Sequence, residues 1–257
     1  MKLKRLAALV LLSGALSMTV FGCKKHVSVP VFTYEENEDG TVTITGLTDK
    51  GKEEMLLKVP SKLDGKTVVS IGAGAFRDDA TVTKVEIADG VTQICENAFL
   101  NCYSLSEIVI PETVTTVGTN VFTNTKWEHD CLVKQNELIV NNILCTVKSA
   151  EGVYTVPDNV TSIASGVFYN NDKITGVKLP DGLVSIGAYA FSGCEKLNSV
   201  TLPQGLKSIG YGAFADSAIE SIDVPESVTE IGNEAFLNIG KVNYKGSAQG
   251  SPWGARQ

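Results

Sequence analysis

The sequence predicts a β-rich solenoid of about eight coils of 23 residues, with short helical turns and a β-hairpin cap at its N-terminal end. Three observations support this fold class. A phenylalanine recurs at a fixed spacing, a short run of alternating apolar residues recurs in the same register, and proline and glycine recur between them. Such internal periods are typical of stacked repeats, and no eleven-residue stretch of the body keeps a clean helical period.

The recurring phenylalanine stands five residues after an apolar residue. The seven examples are Phe76, Phe99, Phe122, Phe168, Phe191, Phe214 and Phe236, at steps of 23, 23, 46, 23, 23 and 22 residues. The long step therefore spans two coils. Neighbouring strands lie about 4.8 Å apart, and one phenyl ring fills a layer of that spacing. We expect the seven rings to stack as one column, the structural spine of the solenoid.

A strand precedes each of these segments, as in LNSVTL over residues 197–202. By strand alternation Val200 and Leu202 point inward, whereas Ser199 and Thr201 point outward. Proline follows several of these strands, because its missing N–H and fixed φ end a ladder. The outward positions form the candidate binding face, which we expect to be continuous. Its residues are Lys84, Glu86, Glu107, Val109, Thr155, Lys178, Ser199, Thr201, Ser221, Asp223, Lys241 and Asn243.

A second short extended piece ends at the apolar residue five before each phenylalanine. A glycine follows it in most coils, at Gly72, Gly118, Gly187, Gly210 and Gly232. We expect this glycine to supply a turn that needs positive φ.

The chain divides into a cap, a solenoid and a tail. Residues 32–67 form the N-terminal cap, with a hairpin turning at Asp39–Gly40 and LLKVP as an irregular first strand. The solenoid covers residues 68–244 and the C-terminal tail residues 245–257, where we expect Trp253 to lie over the last coil rather than in a binding site.

The double-length step is an irregular unit over residues 123–160. ELIVNNILCTVK predicts a hairpin turning at Asn141–Asn142, with Trp127 packed beneath it. The alternative is a metal or nucleophile cluster over residues 128–131, which read Glu-His-Asp-Cys. Adjacent residues of an extended chain point in opposite directions, which argues against that cluster, and no metal site is predicted.

Two pairs of cysteines bear on disulfide formation. Cys102 and Cys194 lie four periods apart, about 19 Å at strand spacing, which is too far for a disulfide. The same repeat position in other coils holds small residues, which can form hydrogen bonds at the corner of the coil. Cys131 and Cys145 are the pair considered for a bridge.

The first residues follow a different pattern from the repeats. MKLKR is a charged start and residues 6–20 are an apolar run, so residues 1–22 are typical of a secretion signal. Gly22-Cys23 resembles a lipobox, which implies that Cys23 carries the lipid and that residues 23–31 form a lipidated tether. The alternatives are an uncleaved membrane anchor and a plain secretion signal without lipid attachment.

The repeat unit L-x-x-V-x-L-P-x-x-L-x-x-I-G-x-x-A-F-x-x-C resembles the BspA-like class of bacterial leucine-rich repeats, over about Val68 to Tyr244. The resemblance implies a right-handed solenoid on a secreted, lipid-anchored protein at the cell surface or envelope of a bacterium. It also implies protein partners on host or neighbouring cells and supplies no set of catalytic residues.

Composition and motifs narrow the function classes. The formal net charge is −7, and without Lys2, Lys4 and Arg5 it becomes −10, which disfavours nucleic acid as a partner. No catalytic or phosphate-binding motif occurs, so no enzyme, no cofactor and no small-molecule substrate are predicted. We expect protein binding or adhesion through the solenoid face, with a passive spacer or coat component of the envelope as the alternative.

Overall fold

The computed structural model describes residues 31–248 and 253–254. The first strands are β1 (Phe32–Glu36), β2 (Val42–Leu47), β3 (Leu56–Val59), β4 (Lys62–Leu63), β5 (Lys66–Ile71), β6 (Lys84–Ile87), β7 (Gln93–Ile94), β8 (Glu107–Val109) and β9 (Thr116–Val117). The helix α1 (Lys126–Gln135) follows, and then the hairpin strands β10 (Glu137–Val140) and β11 (Ile143–Val147). The remaining strands are β12 (Gly152–Thr155), β13 (Ser162–Ile163), β14 (Ile174–Lys178), β15 (Ser185–Ile186), β16 (Ser199–Val200), β17 (Ser208–Ile209), β18 (Ser221–Asp223), β19 (Glu230–Ile231) and β20 (Lys241–Asn243).

The fold is a β-solenoid of about nine turns of roughly 23 residues, which confirms the predicted fold class. The predicted cap hairpin is present, because β1 pairs antiparallel with β2. β2 then pairs parallel with β5, so the cap joins the stack directly.

Each regular coil contributes one strand to each of two parallel ladders. Strand ladder 1 consists of three sheets, β3-β6-β8, β12-β14-β16 and β18-β20. Strand ladder 2 consists of β2-β5-β7-β9 and β11-β13-β15-β17-β19, with β1 and β10 added at two edges. Partners across a ladder are one repeat apart, as in Val85 with Ile108 and Ile186 with Ile209.

A third row of backbone hydrogen bonds joins the turns that carry the phenylalanines. The Phe76 N–H donates to the Ala98 carbonyl oxygen at 2.8 Å, and the Phe191 N–H donates to that of Ala213 at 2.7 Å. We call this row the turn ladder. Successive regular coils are thus tied to one another by the turn ladder and strand ladder 2, and by strand ladder 1 within each of its three sheets.

The seven phenyl rings lie in two columns, so the prediction of one continuous column is wrong. Phe76, Phe99 and Phe122 have successive centroid distances of 5.1 and 6.0 Å. Phe168, Phe191, Phe214 and Phe236 have centroid distances of 5.0, 5.2 and 5.9 Å. Within the described residues no ring contact joins Phe122 to Phe168, because the coil between them supplies no phenylalanine.

The hydrophobic core divides at the same place. One cluster runs from Phe32 to Ile143 and Ala164, and the other runs from Leu144 to Trp253. We call residues 32–125 the N-terminal stack, residues 126–147 the junction, and residues 148–248 with 253–254 the C-terminal stack. Ile143 and Leu144 are adjacent in β11, so the junction contributes to both cores.

The junction contains a helix that the periodicity of the sequence did not predict. In strand ladder 1, α1 takes the place of a strand between β8 and β12, and the Trp127 N–H donates to the Leu105 carbonyl oxygen at 2.8 Å. The predicted hairpin is present, with Asn141 and Asn142 at φ 47° and 64°. Trp127 packs edge-on against Phe122 at 4.9 Å and closes the first column of rings.

The glycine that follows strand ladder 2 does not adopt positive φ, so that expectation is wrong. Positive φ occurs two residues later instead, at Gly74, Asn97 and Tyr189 among others. A Cβ on Gly210 would stand 2.4 Å from the Ala188 backbone nitrogen. Glycine is favoured at this position because the backbones of successive coils approach closely there, although Cys95 and Ala164 occupy it in two coils.

The C-terminal end is covered as predicted, by Trp253. Its indole is buried, packs edge-on against Tyr244 at 5.3 Å and lies 6.4 Å from Phe236. The Phe236 N–H donates to the Trp253 carbonyl oxygen at 3.1 Å, so this residue also extends the turn ladder.

Candidate functional site

The predicted binding face lies on strand ladder 1, but α1 interrupts it, so the expectation of a continuous strip is wrong. Four of its residues lie on β6 and β8, three on β12, β14 and β16, four on β18 and β20, and Thr201 directly after β16. The helix separates the first group from the second. The face therefore consists of shorter patches whose side chains are exposed or half-exposed.

The patch on the N-terminal stack is a ladder of paired charges. The Lys84 ammonium lies 2.6 Å from the Glu107 carboxylate and 3.3 Å from that of Glu86, while Lys58 of β3 lies 3.5 Å from Glu86. The carboxylates of Glu107 and Glu86 raise the pKa of Lys84, and Lys84 lowers the pKa of Glu86. These charges satisfy one another in solvent, which is typical of a solvated face.

The patch at the far end is also internally bonded. The Asn243 side-chain amide donates to the Asp223 carboxylate at 2.7 Å and to the Ser221 hydroxyl at 3.4 Å. Val109, half exposed, is the large apolar side chain of the predicted face. Neither end patch offers an aromatic anchor of the kind that dominates protein interfaces.

Residues 128–131 lie on α1, so the extended chain assumed in rejecting a cluster there is wrong. The Glu128 carboxylate is buried and accepts from the Thr146 hydroxyl at 2.9 Å and the Asn124 N–H at 3.1 Å. Asp130 pairs with Lys126 at 2.8 Å. Across residues 31–248 and 253–254, no three His, Cys, Asp or Glu side chains are placed to hold a metal ion.

The Glu128 carboxylate ties the helix to the hairpin. Burial raises its pKa, and the hydrogen bonds from Thr146 and Asn124 oppose that rise. Thr125 caps the helix, since its hydroxyl accepts the Glu128 N–H at 3.0 Å. The Thr-x-x-Glu spacing of a capping box was therefore the signal that could have predicted α1.

The five cysteines of the described residues are free, including Cys131 and Cys145. The Cys102 and Cys194 thiols each donate to the carbonyl oxygen of a phenylalanine in the preceding coil, at 3.0 Å. Burial raises the pKa of Cys194 to about 11, so its thiol stays protonated. Cys102 and Cys194 thus form hydrogen bonds at the corners of the coils, as predicted for this repeat position. The predicted lipid site at Cys23 lies outside the described residues.

Two surface features, both formed largely by residues of the C-terminal stack, do not follow from the sequence pattern. The first is a groove of about 690 Å³ along strand ladder 2, lined by Ser162, Ser185 and Ser208, with Thr116 and Glu230 among the residues at its ends. The second is a group of exposed tyrosines, Tyr169, Tyr189 and Tyr211, in the turns that follow β13, β15 and β17. The three tyrosines occupy different positions of the repeat, so aligning the coils does not reveal them.

The sequence profile that matches the chain is the BspA type leucine rich repeat region, in six copies over residues 69–174 and 161–245. These segments cover more than half of the chain. The protein belongs to the BspA-type leucine-rich repeat family. Proteins of this family are associated with bacterial surfaces, and leucine-rich repeat domains generally bind proteins.

Solved structures of bacterial leucine-rich repeat proteins are similar to this chain. One from T. pallidum has 25% identity over 86% of both chains, with a TM-score of 0.41. One from Bacteroides ovatus has 25% identity over 84% of this chain and 57% of that protein, with a TM-score of 0.39. A leucine-rich cell surface protein from Faecalibacterium prausnitzii has 17% identity over 86% of this chain and 94% of that protein, with a TM-score of 0.39.

The comparisons indicate no enzymatic family, and leucine-rich repeat proteins are typically binding or scaffold proteins. No protein of curated function shows significant similarity to the chain. Among the helices of residues 31–248 and 253–254, none is long and apolar enough to cross a membrane.

Proposed function

We propose that this protein is a surface-anchored lipoprotein that mediates protein–protein interaction or adhesion through the exposed face of its solenoid. The observation that carries the proposal is the rigid stacking of the coils, which holds outward side chains in rows one repeat apart. A partner can engage several such rows at once without ordering the protein first, so less conformational entropy is lost on binding.

The anchor in this proposal is a lipid on Cys23, supported by the charged start, the apolar run and Gly22-Cys23. One acyl chain binds a bilayer weakly, whereas two or three hold a protein firmly. The Cys23→Ser variant should move from the membrane fraction to the soluble or secreted fraction. Unchanged membrane retention of this variant would contradict lipid anchoring at this residue.

A passive spacer or coat component is the second candidate function. The observation that favours it is the mutual pairing of Lys84, Glu86 and Glu107, which leaves little unsatisfied charge on that patch for a partner. A spacer depends on the number of coils rather than on the surface of any one coil.

An experiment with cells that display the full-length protein distinguishes the two functions. Surface proteins from host and neighbouring bacterial cells are passed over such cells, and the bound proteins are identified. If the protein is a binding protein, one partner should be captured and its binding should be saturable. If it is a spacer, no partner should be captured, and the phenotype should change only when whole coils are deleted.

Surface substitutions then locate the interface. Lys178→Glu with Thr201→Glu tests the middle of the predicted face, while charge reversal at exposed Asp158 and Asp181, each to Lys, serves as the control at positions outside that face. Thermal midpoints should stay unchanged in both. Loss of partner binding in the first variant alone places the interface on strand ladder 1.

A further inference from the structure

Three tyrosines of the C-terminal stack form one exposed patch. Tyr169, Tyr189 and Tyr211 are 57%, 43% and 38% exposed. Their rings touch edge to face, with centroid distances of 6.3 Å from Tyr169 to Tyr189 and 5.1 Å from Tyr189 to Tyr211. The stack does not need these rings for its core, since that is filled by the phenylalanine column. We call them the tyrosine patch.

Two residues of the tyrosine patch, Tyr189 and Tyr211, lie close along the chain to glycines that line the groove of strand ladder 2. Gly187 and Gly210 line the groove, and Tyr211 directly follows Gly210 while Tyr189 comes two residues after Gly187. The groove itself is shallow and carries serine hydroxyls, of which those of Ser162 and Ser185 hydrogen-bond at 2.6 Å. An extended chain laid along the groove would have hydroxyls beneath it and aromatic rings beside it.

Two features show that the rings are held in place. The Tyr211 hydroxyl donates to the Glu234 carboxylate, a bond that raises the pKa of Tyr211 to about 12 and keeps the phenol neutral. Tyr189 has φ 56°, a conformation that the equivalent positions of other coils fill with Asn97, Asn120, Glu234 or glycine. A tyrosine there is uncommon and costs backbone strain.

The charged side chains within the four segments that carry the patch are acidic. The segments 162–171, 185–194, 208–217 and 230–239 contain no lysine or arginine, while they hold Asp216, Glu230 and Glu234, all exposed. The nearest lysine along the chain is Lys207, just before β17. The corresponding segments 70–79, 93–102 and 116–125 of the N-terminal stack carry Arg77 and no tyrosine, and the exposed Tyr103 follows the second of them.

We propose that the tyrosine patch and the adjoining groove bind an extended segment of a partner protein that carries lysine or arginine. The inference rests on the proposed function and names where and what the protein binds. A cationic side chain over a tyrosine face is attracted by the ring quadrupole, and Glu234, Asp216 and Glu230 supply carboxylates for its ammonium or guanidinium group. The carboxylates of Asp216, Glu230 and Glu234 disfavour a phosphate-bearing partner at this patch.

The test uses full-length protein purified from membranes in a neutral detergent. A fluorescein-labelled peptide of alternating lysine and serine is titrated by anisotropy, and the same peptide with acetylated lysines is the control probe. The key variant combines Tyr169→Thr, Tyr189→Asn and Tyr211→Thr. These residues stand at the equivalent positions of the coil around Phe122, as Thr123, Asn120 and Thr119, so the backbone of the repeat already accepts them.

We expect the triple variant to bind the lysine peptide about 10-fold or more weakly, as the loss of several exposed cation–π contacts implies. The acetylated peptide should not bind, and added salt should weaken the binding of the lysine peptide. Tyr103→Thr removes an exposed tyrosine of the N-terminal stack and should leave binding unchanged. Hydrogen exchange of the turn amides checks that the triple variant is folded.

Equal binding by wild type and triple variant, equal binding of the acetylated peptide, or no binding by wild type would each overturn the inference. The proposed function is judged separately by partner capture on cells. A partner captured equally by wild type and triple variant would preserve the proposed function while this inference failed. Absence of any captured partner would overturn the proposed function itself.

Discussion

The N-terminal and C-terminal stacks share one internal design and differ on their surfaces. Both tie successive coils through strand and turn ladders around a column of phenyl rings, three in the first and four in the second. Outside, the first stack presents Lys84, Glu86 and Glu107 paired with one another, whereas the second presents exposed tyrosines beside a serine-lined groove. The repeat fixes the core of each coil and leaves its outward positions free to diverge.

The largest expected effect on stability comes from removing an inner ring of either column. Phe191→Ala and Phe99→Ala should each lower the free energy of unfolding by about 3–5 kcal/mol, because both rings are fully buried between two others. Chemical denaturation followed by circular dichroism measures the loss. The exposed Tyr169→Ala variant should remain near wild type, and losses below about 1 kcal/mol for both phenylalanines would contradict the columns.

A smaller effect is expected where the coils touch. In Gly210→Ala the new Cβ would stand 2.4 Å from the Ala188 backbone nitrogen, so the coils must shift apart, at a cost of about 1–3 kcal/mol. Gly210→Asn should be at least as damaging, which distinguishes close contact from a need for positive φ. Gly182→Ala, with nothing within 4 Å of the added Cβ, is the control. Rescue by asparagine would show that backbone conformation is the reason.

The junction should give a pH dependence through Glu128. Burial raises its pKa in the folded protein, so the folded state binds an extra proton between the ordinary carboxyl pKa and the raised one. Its contribution to stability is therefore fully present below the ordinary pKa and is lost as the pH rises through the raised value. Relative to Glu128→Gln, the wild type should become more stable as the pH falls from neutral toward 5, as thermal midpoints would record.

Asp130 provides the matched control for that titration. The hydrogen bond with Lys126 lowers the pKa of Asp130 in the folded protein. The contribution of Asp130 to stability is therefore lost as the pH falls through the lowered value, which is opposite to the pH dependence expected for Glu128. A difference between wild type and Glu128→Gln that does not change with pH would refute the role given to Glu128.

The smallest expected effect on stability concerns the repeat position three residues after each phenylalanine, which holds Cys102, Cys194 and Ser217. The Ser217 hydroxyl has no hydrogen-bond partner, whereas Cys194 in the preceding coil donates its thiol to the Phe168 carbonyl oxygen. The longer thiol of Ser217→Cys should reach the Phe191 carbonyl oxygen and stabilise the fold by about 1 kcal/mol. The reverse change, Cys194→Ser, should destabilise by a similar amount. Calorimetry that finds Ser217→Cys less stable than wild type would contradict this reading.

Much of the interior could be predicted from the sequence, because burial repeats with the period of the coil. Phe191, Val200 and the hairpin at Asn141–Asn142 follow from spacing, alternation and turn chemistry. The helix was missed because its signal is local: Thr125 and Glu128 cap α1 whatever the period of the surrounding repeats.

The candidate sites were harder to predict than the core. Outward positions obey no burial constraint, so Lys84 and Ser199 could be placed on a face, but their partners could not be read from spacing. The tyrosine patch depends on three different repeat positions meeting diagonally across the coils, as Tyr189 does with Tyr211. Only the stacked geometry shows that contact.

Native-state hydrogen exchange of Phe191→Ala tests the division into two stacks most directly. Local stability in a repeat array follows the neighbouring contacts of each coil. We expect faster exchange for backbone amides of the turns from Phe168 to Phe236, with the turns from Phe76 to Phe122 unchanged from wild type. An equal acceleration in both stacks would show one continuous core and contradict the account.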